Sequence, residues 1–80
     1  MITINYTINT TVHDGFSKEE CSYTFFGISA LDENNNEIVS INDISSSRND
    51  IELLINKFNE NKLSLIHFYD AVEDFMAENN

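Results

Sequence analysis

Ser47-Arg48-Asn49-Asp50-Ile51-Glu52-Leu53-Leu54-Ile55-Asn56-Lys57-Phe58 is the stretch on which the hydrophobic period of this chain changes from two to near four. Ile51, Leu54, Ile55 and Phe58 fall on one face of a helix, with Leu53 beside them. Ser47 and Asp50 have the spacing of a capping box, in which the serine oxygen accepts a backbone N–H freed at the helix start. Asn59-Glu60-Asn61 supplies the stop, because Asn tolerates the left-handed conformation that follows a helix. The spacing predicts a helix over about 48–60.

Downstream, the pattern starts again at Ser64. Leu63 before it and Phe68 four positions after it form a hydrophobic staple. Leu65, Phe68, Tyr69, Val72, Phe75 and Met76 give an apolar stripe, predicting a second helix over about 65–77. Only a few residues join the two helices, so they should be antiparallel neighbours.

Upstream, the period is two. Ile2, Ile4, Tyr6, Ile8 and Val12 alternate with Thr3, Asn5, Thr7, Asn9, Thr11 and His13, which reads as a strand over about 2–13 with one buried face. It contains no Pro and no Lys, so at a sheet edge it would be open to pairing and a homodimer is expected as one possible state. Asp14-Gly15 breaks the strand, with His13 preceding Asp14 in a loop, and Phe16 to Glu20 reads as a loop. A second strand covers about 21–31. Its parity is mixed, with Tyr23 and Phe25 pointing one way and Phe26, Ile28 and Ala30 the other. Either a bulge sits near Phe25-Phe26 or both faces are partly covered, and Gly27 suits a bulge or a close backbone approach. Asp32-Glu33-Asn34-Asn35-Asn36 is a hairpin turn, and a third strand covers about 37–43. The fold class is α+β: a single domain with a three-stranded antiparallel β-meander, followed by two antiparallel helices packed on one face (βββαα).

The run Asn42-Asp43-Ile44-Ser45, the helix after it, and Leu63-Ser64-Leu65-Ile66-His67-Phe68-Tyr69-Asp70-Ala71-Val72-Glu73-Asp74-Phe75 resemble a small uncharacterised domain family of Clostridia-like bacteria. The resemblance covers the C-terminal half. Leu65 stands where that family's motif has Pro, a residue well placed at the first helical position, so this chain leans on Ser64 instead. The resemblance implies the βββαα order and no activity.

The composition is far from average in one respect: fourteen acidic residues stand against four basic ones, a formal charge of −10 in 80 residues. Apolar residues make up 41%, enough for a core despite that charge. Cys21 is alone and reads as a small strand residue. No basic region with a long apolar run opens the chain, no apolar run is long enough to span a bilayer, and an acidic surface is repelled by anionic lipid. A cytoplasmic protein without membrane contact is expected. Lys18, Arg48, Lys57 and Lys62 are too scattered to neutralise a phosphate backbone, so direct nucleic-acid binding is not expected.

No residue pattern points to a catalytic site, a metal or a cofactor. His13 and His67 are far apart in sequence, with no HExxH or CxxC spacing, and His67 reads as a helix-start residue touching the sheet edge. Asp32 to Glu37 lacks the spacing and central Gly of a calcium loop. Two surfaces remain as partner-binding candidates. Asp70, Glu73, Asp74 and Glu78 lie along one side of the second helix at spacings of three and four. They sit towards its C-terminus, where the macrodipole disfavours anions. Tyr23 and Phe25, with Phe16, would line the open sheet face if the helices cover the other. The expected function is a non-enzymatic acidic regulator or inhibitor that binds a basic, nucleic-acid-binding protein by mimicking nucleic acid, as small phage anti-defence proteins such as anti-CRISPR proteins do. The alternatives are a small bacterial interaction module docking through the aromatic sheet face, and a small enzyme.

Overall fold

A computed structural model describes residues 3–13 and 23–78. Ile2, the loop from Asp14 to Glu20 with its Phe16 ring, and Cys21 lie outside the described residues. Three strands, β1 (Asn5–His13), β2 (Tyr23–Leu31) and β3 (Glu37–Ser45), are followed by α1 (Arg48–Glu60) and α2 (Leu65–Glu78). The sheet order is β1-β2-β3, with both pairings antiparallel. The chain therefore has the expected βββαα arrangement.

The pleat decides which side chains meet the helices. Tyr6 lies opposite Ala30, and Ile8 opposite Ile28. These even-numbered residues share one face. On that face Tyr6, Ile28 and Ala30 join Ile44, Ile51, Ile55, Phe58, Phe68 and Val72 in one buried cluster. Both helices thus pack on the same side. The rings of Tyr6, Phe58 and Phe68 meet at centroid distances of 5.1–6.1 Å, in tilted and edge-on pairs that aromatic quadrupoles favour. The apolar face of β1 is not covered along its whole length. Val12 is 58% exposed, because the distal end of the β1–β2 hairpin runs past the helices.

β2 carries no bulge. Its pairing with β1 is unbroken from Tyr23 to Leu31. The mixed parity arises because both of its faces are partly covered, Gly27, Ile28, Ser29 and Ala30 being buried in succession while Tyr23 and Thr24 are exposed. The irregularities belong to β3. It takes extra residues opposite the Phe26–Ile28 step and again opposite Ala30–Leu31. Asp43, in the first of these, has φ 57°, a left-handed conformation. Gly27 faces this bulge. A Cβ there would run into the Ile41 carbonyl oxygen and lie 2.6 Å from Asn9 Oδ1 and 2.9 Å from the Asn42 Cα. Gly27 is thus the place where the outer strands close over the middle one.

The ends of α1 follow their sequence signals with one change. Ser47 Oγ accepts the Asp50 N–H at 3.3 Å. At the other end, the left-handed residue is Lys62, with φ 49°, and not an asparagine; Asn61 is the C-cap with φ −90°. Lys62 N–H donates to the Asn59 carbonyl and Leu63 N–H to the Phe58 carbonyl. This is the paired bonding of a Schellman ending. In the hairpin turn, Asn35 takes the positive φ (66°), as expected for Asn there.

Candidate functional site

The acidic row on α2 is exposed along its length. Phe68 and Val72 are buried against the core, which turns Asp70, Glu73, Asp74 and Glu78 to the outside. Asp70, Asp74 and Glu78 recur every four residues, about 6 Å apart along the axis. The last turn holds no basic residue to offset the dipole. Among the described residues, Arg48 pairs with Glu52 and the His13 ring contacts Asp43, and neither contact touches α2. Arg48 is further committed, with its guanidinium carbon 5.8 Å from the Phe26 ring centroid.

Two apolar side chains complete this surface, and sequence reasoning missed both. Ile66 is 83% exposed, and Tyr69, assigned to the buried stripe by its spacing, is 51% exposed. Tyr69 is held at the rim, its ring 5.7 Å from that of Phe68. Ile66 lies one turn before Asp70 and two before Glu73, so an exposed isoleucine stands at the N-terminal end of the acidic row. The available signal was its position: Ile66 falls off the Leu65–Phe68–Val72 stripe. Leu53 is likewise exposed rather than beside the core face. It lines an open groove of about 460 Å³ that runs along α1 from Asp50 to Glu60, with Phe75 of α2 on its other side.

The open sheet face holds the aromatic candidates. Thr11 pairs with Phe25, and His13 with Tyr23, so these four side chains point away from the helices. Tyr23 is 58% exposed, and Phe25 is half-buried. His13 is the last residue of β1, not a loop residue. Its ring lies edge-on to Phe25 at 5.8 Å, and its Nε2 is 3.1 Å from Asp43 Oδ1. That contact spans the face from β1 to β3. It also covers part of Phe25, leaving Tyr23 as the most exposed ring. His67 is exposed in the first turn of α2.

The chemistry offered by these surfaces is charge and apolar contact. The hydroxyls of Ser45, Ser47 and Ser64 accept backbone N–H groups, and that of Ser29 meets Asn9. None of them faces a histidine. Among the described residues, no three His, Cys, Asp or Glu side chains converge as a metal site requires, and no helix is long and apolar enough to cross a membrane. Burial raises the Tyr6 phenol above its ordinary pKa, and its hydroxyl donates to the Leu63 carbonyl at 2.8 Å, which makes Tyr6 a structural residue.

Comparison with known proteins places the chain in a family. The model of a family of unknown function, DUF6514, matches residues 1–78, and the chain belongs to that family. The match takes in the N-terminal hairpin as well as the C-terminal half. No curated protein and no solved structure matches.

Proposed function

We propose that this chain is a non-enzymatic binding protein whose α2 surface docks into a basic groove on another protein. The observation that carries this reading is the exposure of Ile66 at the N-terminal end of the row formed by Asp70, Glu73 and Asp74, with Tyr69 beside it. An exposed apolar side chain next to a row of charges suits a binding patch, in which an apolar anchor is buried beside polar contacts. The carboxylates supply attraction and orientation, and the anchor supplies burial. The partner is a protein whose Lys and Arg side chains otherwise hold a phosphate backbone, and the chain regulates it by occupying that groove.

The test starts from partners captured from the native host on the immobilised chain. A partner of the proposed kind binds DNA or RNA, and added nucleic acid displaces the chain from it. Affinity should fall steeply with salt, since both contacts are electrostatic. Ile66→Asp should weaken binding by at least tenfold without lowering the melting temperature. Capture that ignores salt and nucleic acid, and survives Ile66→Asp, would transfer the site to the open sheet face around Tyr23 and Phe25.

A further inference from the structure

The two edges of the sheet are built differently. β3 is interrupted twice and carries Glu37 and Asp43, devices that discourage strand addition. β1 is a regular strand of nine residues, and residues 1–13 contain no Asp, Glu, Lys, Arg or Pro. One outward position on it is closed. Tyr6 presents its N–H and C=O away from β2, and the Asn59 side chain takes both, at 2.9 and 3.0 Å. Strand alternation places the same outward groups at Ile8, Thr10 and Val12. Among the described residues, none of these has a partner for them.

We infer that this open half of the β1 edge pairs with a second copy of the chain, antiparallel, about a two-fold axis at Thr10. The register follows from the closed position. An axis at Thr10 sets Thr10 against Thr10 of the second copy and Ile8 against its Val12, using all the free outward groups. An axis at Ile8 would need Tyr6, which Asn59 already holds. Val12, 58% exposed in one chain, is then covered by Ile8 of the other. The occupant is a second copy because this edge is self-complementary and uncharged. The rest of the molecule opposes the pairing, since each copy brings a formal charge of −10. Association therefore strengthens as salt screens that repulsion, the opposite of the salt dependence of the α2 contact.

Sedimentation of the full chain across a concentration series should show a monomer–dimer equilibrium whose dimer fraction rises with salt. Thr10→Pro removes an outward N–H and no ladder bond, so it should abolish the dimer while the circular dichroism spectrum is kept. Register is read by cross-linking in a Cys21→Ser background. Thr10→Cys brings two Cα atoms about 5.5 Å apart at the axis, within disulfide reach. Ile8→Cys leaves the two sulfurs several residues apart. Oxidation should give at least tenfold more covalent dimer from Thr10→Cys than from Ile8→Cys. A monomer at the highest attainable concentration and salt, or equal cross-linking of the two variants, would overturn the inference.

Discussion

Asn59 and Tyr6, 53 positions apart, make a reciprocal pair: Asn59 Oδ1 accepts the Tyr6 N–H at 2.9 Å and Asn59 Nδ2 donates to the Tyr6 carbonyl at 3.0 Å. The side-chain amide acts as one residue of a missing fourth strand. It ties the end of α1 to the edge of β1, and the Tyr6 hydroxyl bond to Leu63 ties the interhelix loop to the same residue.

Asn59→Ala should cost about 2 kcal/mol, because two half-buried backbone groups lose their partners. Hydrogen exchange provides the local readout: the Tyr6 amide should lose protection more than its strand neighbours. Asn59→Asp should be no better, since a carboxylate keeps the acceptor but opposes the Tyr6 carbonyl. A fully protected Tyr6 amide in Asn59→Ala would show that this pair does not close the edge.

Gly27→Ala should be among the most destabilising single substitutions in the sheet. The atoms in the way are the Ile41 carbonyl, the Asn42 Cα and the Asn9 side chain. Two of the three are backbone, so relief requires β3 to move. A cost of about 3 kcal/mol is expected, at the upper end for overpacking. Urea denaturation measures it, with Ser29→Ala as a milder control.

Lys62→Gly should stabilise the chain, because Lys62 holds φ 49° where glycine carries no penalty. The gain is reduced by the loss of a cation near the helix C-terminus, leaving about 0.5 kcal/mol. Thermal unfolding of Lys62→Gly against Lys62→Ala separates the two effects, since both remove the charge and only glycine removes the strain.

The elements legible in the sequence are those governed by local chemistry. Ser47, the Asn35 turn and the change of period near residue 47 each act over a few positions, and strands and helices follow from them. Less legible were features set by contacts distant in sequence. The β3 bulge depends on Gly27 of β2, so the parity of β2 alone left open a bulge near Phe25-Phe26 or partial cover of both its faces. The left-handed position went to Lys62 because the Leu63–Phe58 and Lys62–Asn59 bonds fix where the helix ends, overriding the preference of asparagine. Tyr69 and Leu53 met the spacing rule for a buried stripe, but two helices on a small sheet cannot cover the flanks of that stripe. The acidic row was readable by spacing; the exposed Ile66 at its start emerged only once the core face of α2 was known.

Asp32 makes the β2–β3 turn sensitive to acid. Its Oδ1 accepts the backbone N–H groups of Asn34 at 2.8 Å and Asn36 at 3.0 Å. The Asn36 bond is the main cause holding its carboxyl below the ordinary value, and the Asn34 bond adds to it. A carboxyl depressed on folding contributes stability that is complete above its unfolded pKa and is lost as pH falls through the lower folded one. The stability difference between wild type and Asp32→Ala should therefore be constant at neutral pH and close below about pH 4. A difference that widens on acidification would show that the carboxylate does not organise this turn.

Asp74→Lys with Glu78→Lys tests stability and binding at once, with opposite signs. Asp70, Asp74 and Glu78 repel one another at spacings of four, and the last turn of α2 places anions where the helix dipole is negative. Reversing the last two charges turns repulsion into attraction at both levels. Because all these side chains are exposed, the gain is modest, about 0.5–1 kcal/mol, or roughly 3–6 °C in melting temperature for a domain of this size. Under the proposed function, the same variant loses the basic partner, because two attractive contacts become repulsive. A higher melting temperature with binding lost is the expected result, read by calorimetry and by titration of the captured partner. If the variant melts higher and still binds, then the acidic row is a solvated surface, and Tyr23 and Phe25 on the open sheet face become the residues to change next.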